Sequence, residues 1–237
     1  MASLMFDIET TPMQGNYIPR SKSLTPTLFI AIAVEGQEEL EYLYEIKEIV
    51  KRKSSTPKMV LLNEFYKNPK EAVSLSHPKH RYDLIVQWRE YYSAQMGITE
   101  DDEEWLICDR DNYSFKSEQY DTYVNLANEN THFHFIVSNP SFQLWLLLHF
   151  TSHIPDFRKV SKCKDRINFL EIELKRNIGI YAHGSLDWGK YAPHVRDAIN
   201  NSRQYDKYTT EDLKDKTGTH FFKLLDFLEG QIGSNIF

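Results

Sequence analysis

The stretch LFIAIAVEGQEELEYLYEIKEIV, residues 28–50, carries two hydrophobic periods one after the other. LFIAIAV (28–34) is a near-continuous apolar run of strand length, as a strand covered on both faces requires. EELEYLYEIKEIV (38–50) places Leu40, Leu43, Tyr44, Ile46, Ile49 and Val50 on one helical stripe. Glu35-Gly36 falls at the turn between them. A strand, a tight turn and an amphipathic helix make half of a βαβ unit.

The same alternation continues along the chain. KMVLLN (58–63), EEWLICD (103–109) and THFHFIV (131–137) read as strands. HPKHRYDLIVQWREYYSAQM (77–96), with Pro78 near its start and Leu84, Ile85, Trp88 and Tyr92 at helical spacing, reads as a long helix, and SEQYDTYVNLANEN (117–130) as another. This order predicts an α/β fold with a mostly parallel sheet flanked by helices. After Ser138 the pattern turns helical. A helix is predicted from Pro140 through LWLLLHF, others over 161–176, 192–204 and 218–230, and a Gly-, His- and Tyr-containing loop over 177–191. The chain thus divides into an arm at 1–26, an α/β core at 27–150 and a helical C-terminal region at 151–237 packed on that core.

Composition narrows the class. The chain has 237 residues, 41% of them hydrophobic and 14% aromatic, enough for a sizeable core rather than a disordered chain. Its longest apolar runs are far shorter than the roughly 20 residues a bilayer span needs, and the N-terminus lacks a signal-peptide pattern. The 2 cysteines offer no disulfide framework and no CxxC pattern, so a reduced, cytoplasmic protein is expected. The formal charge of −6 argues against a uniformly basic nucleic-acid binder, but binding depends on local patches. Basic clusters stand at Lys51-Arg52-Lys53, Lys79-His80-Arg81 and RKVSKCKDR (158–166). Each one alone reads as a solvated helix face. P-loop, Rossmann, GxSxG and Cys/His nucleophile patterns are absent from the sequence.

The candidate chemistry lies where strands stop. The first strand ends at Glu35, and WLICDRDNYSF (105–115) ends its apolar run in Asp109 and Asp111. Parallel strands present their C-terminal ends at one edge of a sheet, so these acids are expected to converge. Three uncompensated carboxylates in one place raise each other's pKa, a conflict that Mg²⁺ or Mn²⁺ resolves, because hard oxygen ligands suit both ions. Ser138 and Asn139, at the end of the fourth strand, fall on the same edge and are candidates to touch a substrate. They are equally expected as helix caps before Pro140, with Phe142, Leu144, Trp145 and Leu148 filling a core. His132 and His134 alternate with Phe133 and Phe135, which puts both imidazoles on one strand face. With no Cys or HExxH nearby they read as surface histidines, and His149 reads as a protonated imidazole at a helix C-terminus.

A strand ending in Glu-Gly with a later strand ending in Asp-x-Asp resembles the Toprim fold. The stretches VEGQEELEYL (34–43), WLICDRDNYSF (105–115) and VSNPSFQLWLLLHF (137–150), with KTGTHFFKLL (216–225), resemble one Toprim-like branch, the RloB-like family. Two positions depart from that family's pattern. Glu38 stands where many relatives have threonine in EGxTE, with Glu39 at the second acidic position, and Gln143 replaces the glutamate of FELW. If that glutamate is a metal ligand or base in relatives, this chain has one charge fewer there, and Gln143 can still orient a water.

The resemblance implies a metal-dependent nuclease, a hydrolase with Glu35 as base or metal ligand and Asp109 and Asp111 as ligands of Mg²⁺ or Mn²⁺. Arg110 is implied as the first phosphate contact, with Glu39, Ser138, Asn139 and Gln143 near substrate. It implies an antiphage-defence effector of the abortive-infection kind, encoded beside an ABC-type ATPase and acting on nucleic acid, RNA such as tRNA ahead of DNA. A homo-oligomer is left open, and no membrane partner is expected. The alternative is a catalytically degenerate Toprim module that binds or regulates for the partner ATPase.

Overall fold

The computed structural model describes residues 28–65, 78–111, 117–154, 157, 163–233 and 236–237. The expected arm at 1–26 and most of the basic run 158–162 lie outside them. The structure is a mixed α/β fold built on a five-stranded sheet in the order β2-β1-β3-β4-β5. β1 is Phe29–Val34, β2 Lys58–Leu61, β3 Glu103–Asp109, β4 Phe133–Asn139 and β5 Gly218–Thr219. The first four are mutually parallel, and β5 adds antiparallel to β4.

Successive strand residues face alternately two buried clusters, which explains the unbroken apolar runs. Ile30, Ile32, Val34, Trp105, Ile107 and Ile136 face one cluster, whereas Phe29, Ala31, Ala33, Leu106, Cys108, Phe135 and Val137 face the other. On the first side lie α1 (Gln37–Lys53) and the C-terminal helices. These are α4 (Gln143–Leu148), α5 (Cys163–Ile178), the single turn α6 (Trp188–Tyr191), α7 (Val195–Ser202) and α8 (Phe221–Ile232). On the second lie α2 (Pro78–Met96) and α3 (Ser117–Glu129). A helix layer on each face is what a parallel sheet requires. None of the described helices is long and apolar enough to cross a membrane.

Several local expectations are corrected. In α1 the inward stripe is Glu39, Tyr42, Leu43, Ile46 and Val50, and Tyr44 points to solvent. Tyr42 meets Phe142, Trp145, His149, Trp188 and Phe221 edge-on, so one aromatic ring organises four elements. Ser138 and Asn139 do not cap the next helix, which starts only at Gln143 and has no side-chain cap. Ser138 Oγ instead lies 2.8 Å from Thr219 Oγ1, and Asn139 Nδ2 donates to the Leu213 carbonyl at 2.8 Å. Both fasten β5 to β4. The predicted helix at 218–230 therefore begins as this short strand. Gly218 packs so closely that a Cβ would stand 2.8 Å from Leu213 Cδ2.

His149 is buried, with Nδ1 donating to the Trp145 carbonyl and Nε2 accepting from the Tyr42 hydroxyl, each at 3.1 Å. Burial pushes its pKa down to about 4, so it is neutral, and the expected charge at that helix end is absent. His132 and His134 do share a face, and both bind one carboxylate, Glu103, at 3.2 and 2.5 Å.

Candidate metal centre

β1 and β3 run side by side, with Val34 paired to Ile107, so both strands deliver their ends to one edge. Asn63 fixes the end of β1. Its Nδ2 donates to the Val34 carbonyl at 2.8 Å and its Oδ1 accepts from the Val34 amide at 2.9 Å, which continues the β2 pairing through a side chain. The next residue is Glu35. Its Oε2 accepts the Asp109 backbone N–H at 3.0 Å, although the two residues are 74 positions apart in sequence. The acids of the two strand ends are thus physically joined.

α1 brings in a third carboxylate. Gly36 precedes the helix, and a Cβ there would stand 2.4 Å from Glu39 Oε2. The missing side chain is the space that Glu39 occupies. Glu39 is buried, and burial pushes its pKa up to about 8, with the charges of Glu35 and Glu38 adding to the shift and Arg81 opposing it. Asp109 is raised well above the ordinary aspartate value by burial first, then by Glu39, Glu35 and Asp111 in that order, against one bond from the Phe142 backbone N–H. Four acids from β1, α1 and β3 therefore sense one another at the sheet edge.

Arg81 supplies a positive charge beside these acids. It is buried at 1% exposure, and its Nη2 donates to the Glu35 carbonyl at 3.2 Å. The sequence placed it in an exposed basic run, and only Lys79 and His80 of that run are exposed. Arg110 Nε donates to the Lys214 carbonyl at 3.2 Å and its guanidinium lies over Tyr120. At the start of α5, the charges of Asp111, Arg166 and Arg110 all act on the Cys163 thiol.

Gln143 and Glu38, the two unusual positions of the sequence, touch. Gln143 Nε2 donates to Glu38 Oε2 at 2.8 Å, and Tyr181 Oη donates to Glu38 Oε1 at 2.7 Å. Burial raises the Glu38 pKa, and its hydrogen bonds to Tyr181 and Gln143 and the charge of His183 pull it back. A carboxylate thus stands within hydrogen-bond distance of residue 143. Gln143→Glu should consequently destabilise the protein by about 2–4 kcal/mol at pH 8, less at pH 5 where the pair can share a proton. Adding Glu38→Thr should restore the loss. Denaturant unfolding at the two pH values measures it, and an unchanged midpoint at pH 8 contradicts the pairing.

Hard carboxylate oxygens whose charges raise each other's pKa are the donor chemistry that suits Mg²⁺ or Mn²⁺. As they stand, no three acid, imidazole or thiol side chains among the described residues are arranged to hold a metal ion. Glu35, Asp109 and Asp111, with Glu39 beside them, are the carboxylates that this edge offers to a hard dication.

A family model described as RloB-like protein matches residues 30–228. No curated protein and no solved structure matches the chain.

Proposed function

Because the chain belongs to the RloB-like family, we propose that it is a metal-dependent phosphodiester hydrolase of the Toprim type. Its substrate is RNA such as tRNA, and it works in the cytoplasm as an antiphage-defence effector beside an ABC-type ATPase. The observation that carries the reading is the bond between Glu35 and the Asp109 amide, at an edge where Asp109, Glu39 and Asp111 crowd together. A hard dication at this edge would polarise a phosphoryl oxygen and lower the pKa of a water.

The protein's own part is to hold the charges ready. Asn63 and Gly36 fix where Glu35 and Glu39 stand, and Arg81 offsets part of the negative charge without filling the edge. Phosphate contact falls to the arginines beside Asp111, Arg110 and Arg166.

The second reading, a degenerate module that binds for its ATPase, is favoured by Gln143, which stands where the family pattern has a glutamate. Expression of the wild type and of Asp111→Ala in a bacterial host, followed by sequencing of tRNA ends, separates the two. Arrested growth and cut ends in the wild type alone support the hydrolase. Identical, intact tRNA in both, with purified protein inert on RNA and DNA in Mg²⁺ and Mn²⁺, supports the module.

A further inference from the structure

The outward face of α1 takes no part in the acidic edge. Opposite the inward stripe run Glu41, Tyr44, Glu45, Glu48, Lys51 and Arg52, at helical spacings of three and four. The two signs are separated along this face. Glu41 and Glu45 stand in the first half, whereas Lys51, Arg52 and Lys53 close the helix, all three exposed. Cations in a last turn suit the helix dipole, which accounts for the basic end. It does not account for what lies at the other end.

There an open groove of about 330 Å³ is lined by Glu41, Tyr44, Glu45, Leu186 and Trp188. Glu41 is committed to holding its wall. Its Oε1 accepts from Gln37 Nε2 at 3.0 Å, and its Oε2 accepts the Leu186 amide at 2.8 Å, which fastens the segment before α6 against α1. Glu45 forms no ion pair with another described residue. Tyr44 is 45% exposed, and Trp188 is half-buried. A carboxylate beside two aromatic rings and a leucine suits a guanidinium. The acid pairs with the charge, the rings stack on its plane, and the apolar stem packs on the leucine.

The same helix carries that group. Glu45 and Arg52 are two helical turns apart, about 10 Å along the axis, and face the same way. Two copies of α1 laid antiparallel about a two-fold axis between Glu48 and Ile49 would bring Glu45 of each opposite Arg52 of the other. Tyr44 would then lie opposite Lys53. A parallel pair would set acid on acid and base on base, so the charge pattern admits one orientation. In such an isologous contact every pair occurs twice.

We propose that α1 docks on α1 of a second copy of this chain, with Arg52 of each seated in the groove of Glu45 and Trp188 of the other. One helix and a short segment per copy make a contact at the small end of specific interfaces, so the dimer is weak and salt-sensitive. It is independent of the hydrolase reading.

Sedimentation equilibrium of the full chain tests it. The wild type should associate at about 100 µM protein in low salt and dissociate as salt approaches about 0.5 M. Glu45→Arg alone and Arg52→Glu alone should each weaken the dimer by about tenfold or more, because each sets like charges opposite one another twice. Both substitutions in one chain should restore the association, and an equimolar mixture of the two single variants should form a mixed dimer. A wild type that is monomeric at about 300 µM overturns the proposal, as do single variants that associate like the wild type or a double variant no tighter than either. A tri-arginine peptide that quenches the tryptophan fluorescence of a monomeric wild type, but not of Glu45→Arg, would assign the groove to a basic segment of another protein and equally reject self-association.

Discussion

Asp109→Asn is expected to lower metal-dependent cleavage by about a thousandfold or more while making the metal-free protein more stable at pH 8.5. The two effects share one cause. Asp109 is half-buried beside Glu39, Glu35 and Asp111, and every one of those charges opposes its ionisation. Asparagine keeps an oxygen to accept the Phe142 N–H and removes the charge, so the repulsion disappears together with the anionic oxygen a dication needs. The gain should be about 1–3 kcal/mol, seen as a higher thermal midpoint in EDTA. A residue that merely packs the core would lose stability on substitution, and an unchanged cleavage rate would remove Asp109 from the chemistry altogether.

The metal-free protein should also lose stability as pH rises from about 7.5 to 9, by about 1–2 kcal/mol, and regain it when Mg²⁺ or Mn²⁺ is added. Glu39 sets the sign. Its folded-state pKa is raised from the ordinary 4.5 to about 8, so its contribution is complete below the ordinary carboxylate range and is lost as pH climbs through 8. The histidines act in the opposite direction and at lower pH. His149 and His220 are held by burial at about 4, so their contribution is present above the ordinary histidine range and is lost as pH falls. Above about pH 7.5 both histidines are largely neutral whether the chain is folded or not, which leaves Glu39 to set the slope, with Asp109 raised in the same direction. Thermal midpoints of the EDTA-treated protein across this range measure it, and Glu39→Gln should flatten the curve. A midpoint that rises with pH contradicts the crowding of these acids.

Much of this arrangement was legible in the chain itself, for identifiable reasons. β1, β3 and β4 are buried on both faces, so their apolar runs are unbroken and their ends stand out as polar residues. Glu35, Asp109 and Asp111 could be brought together on the page because parallel strands share one edge. Glu39 entered only through the resemblance of VEGQEELEYL to the RloB-like pattern. What stayed hidden depends on contacts across long sequence separations. Arg81 is turned inward while its neighbours Lys79 and His80 are exposed, and a run of like charges carries no sign of which member faces the core. The clamp of the 181–186 turn on Glu38 and Glu41 joins residues more than 140 positions apart in sequence. β5 is two residues long, too short for any period, and its place is set by the close approach of Gly218 to Leu213 and Tyr205. His149 reads as a helix-end cation until Tyr42 and Trp145 are seen to enclose it.

Calorimetric titration of Mn²⁺ into the wild type, Glu35→Gln and Asp109→Asn at pH 7.5, in buffers of different ionisation enthalpy, addresses the shared carboxylate edge most directly. The wild type should bind Mn²⁺ with release of protons, because Glu39, raised to about 8, holds one until a cation arrives, and both substitutions should abolish that binding. Absence of binding to the wild type at millimolar Mn²⁺, or binding that neither substitution alters, would contradict a metal centre at this edge.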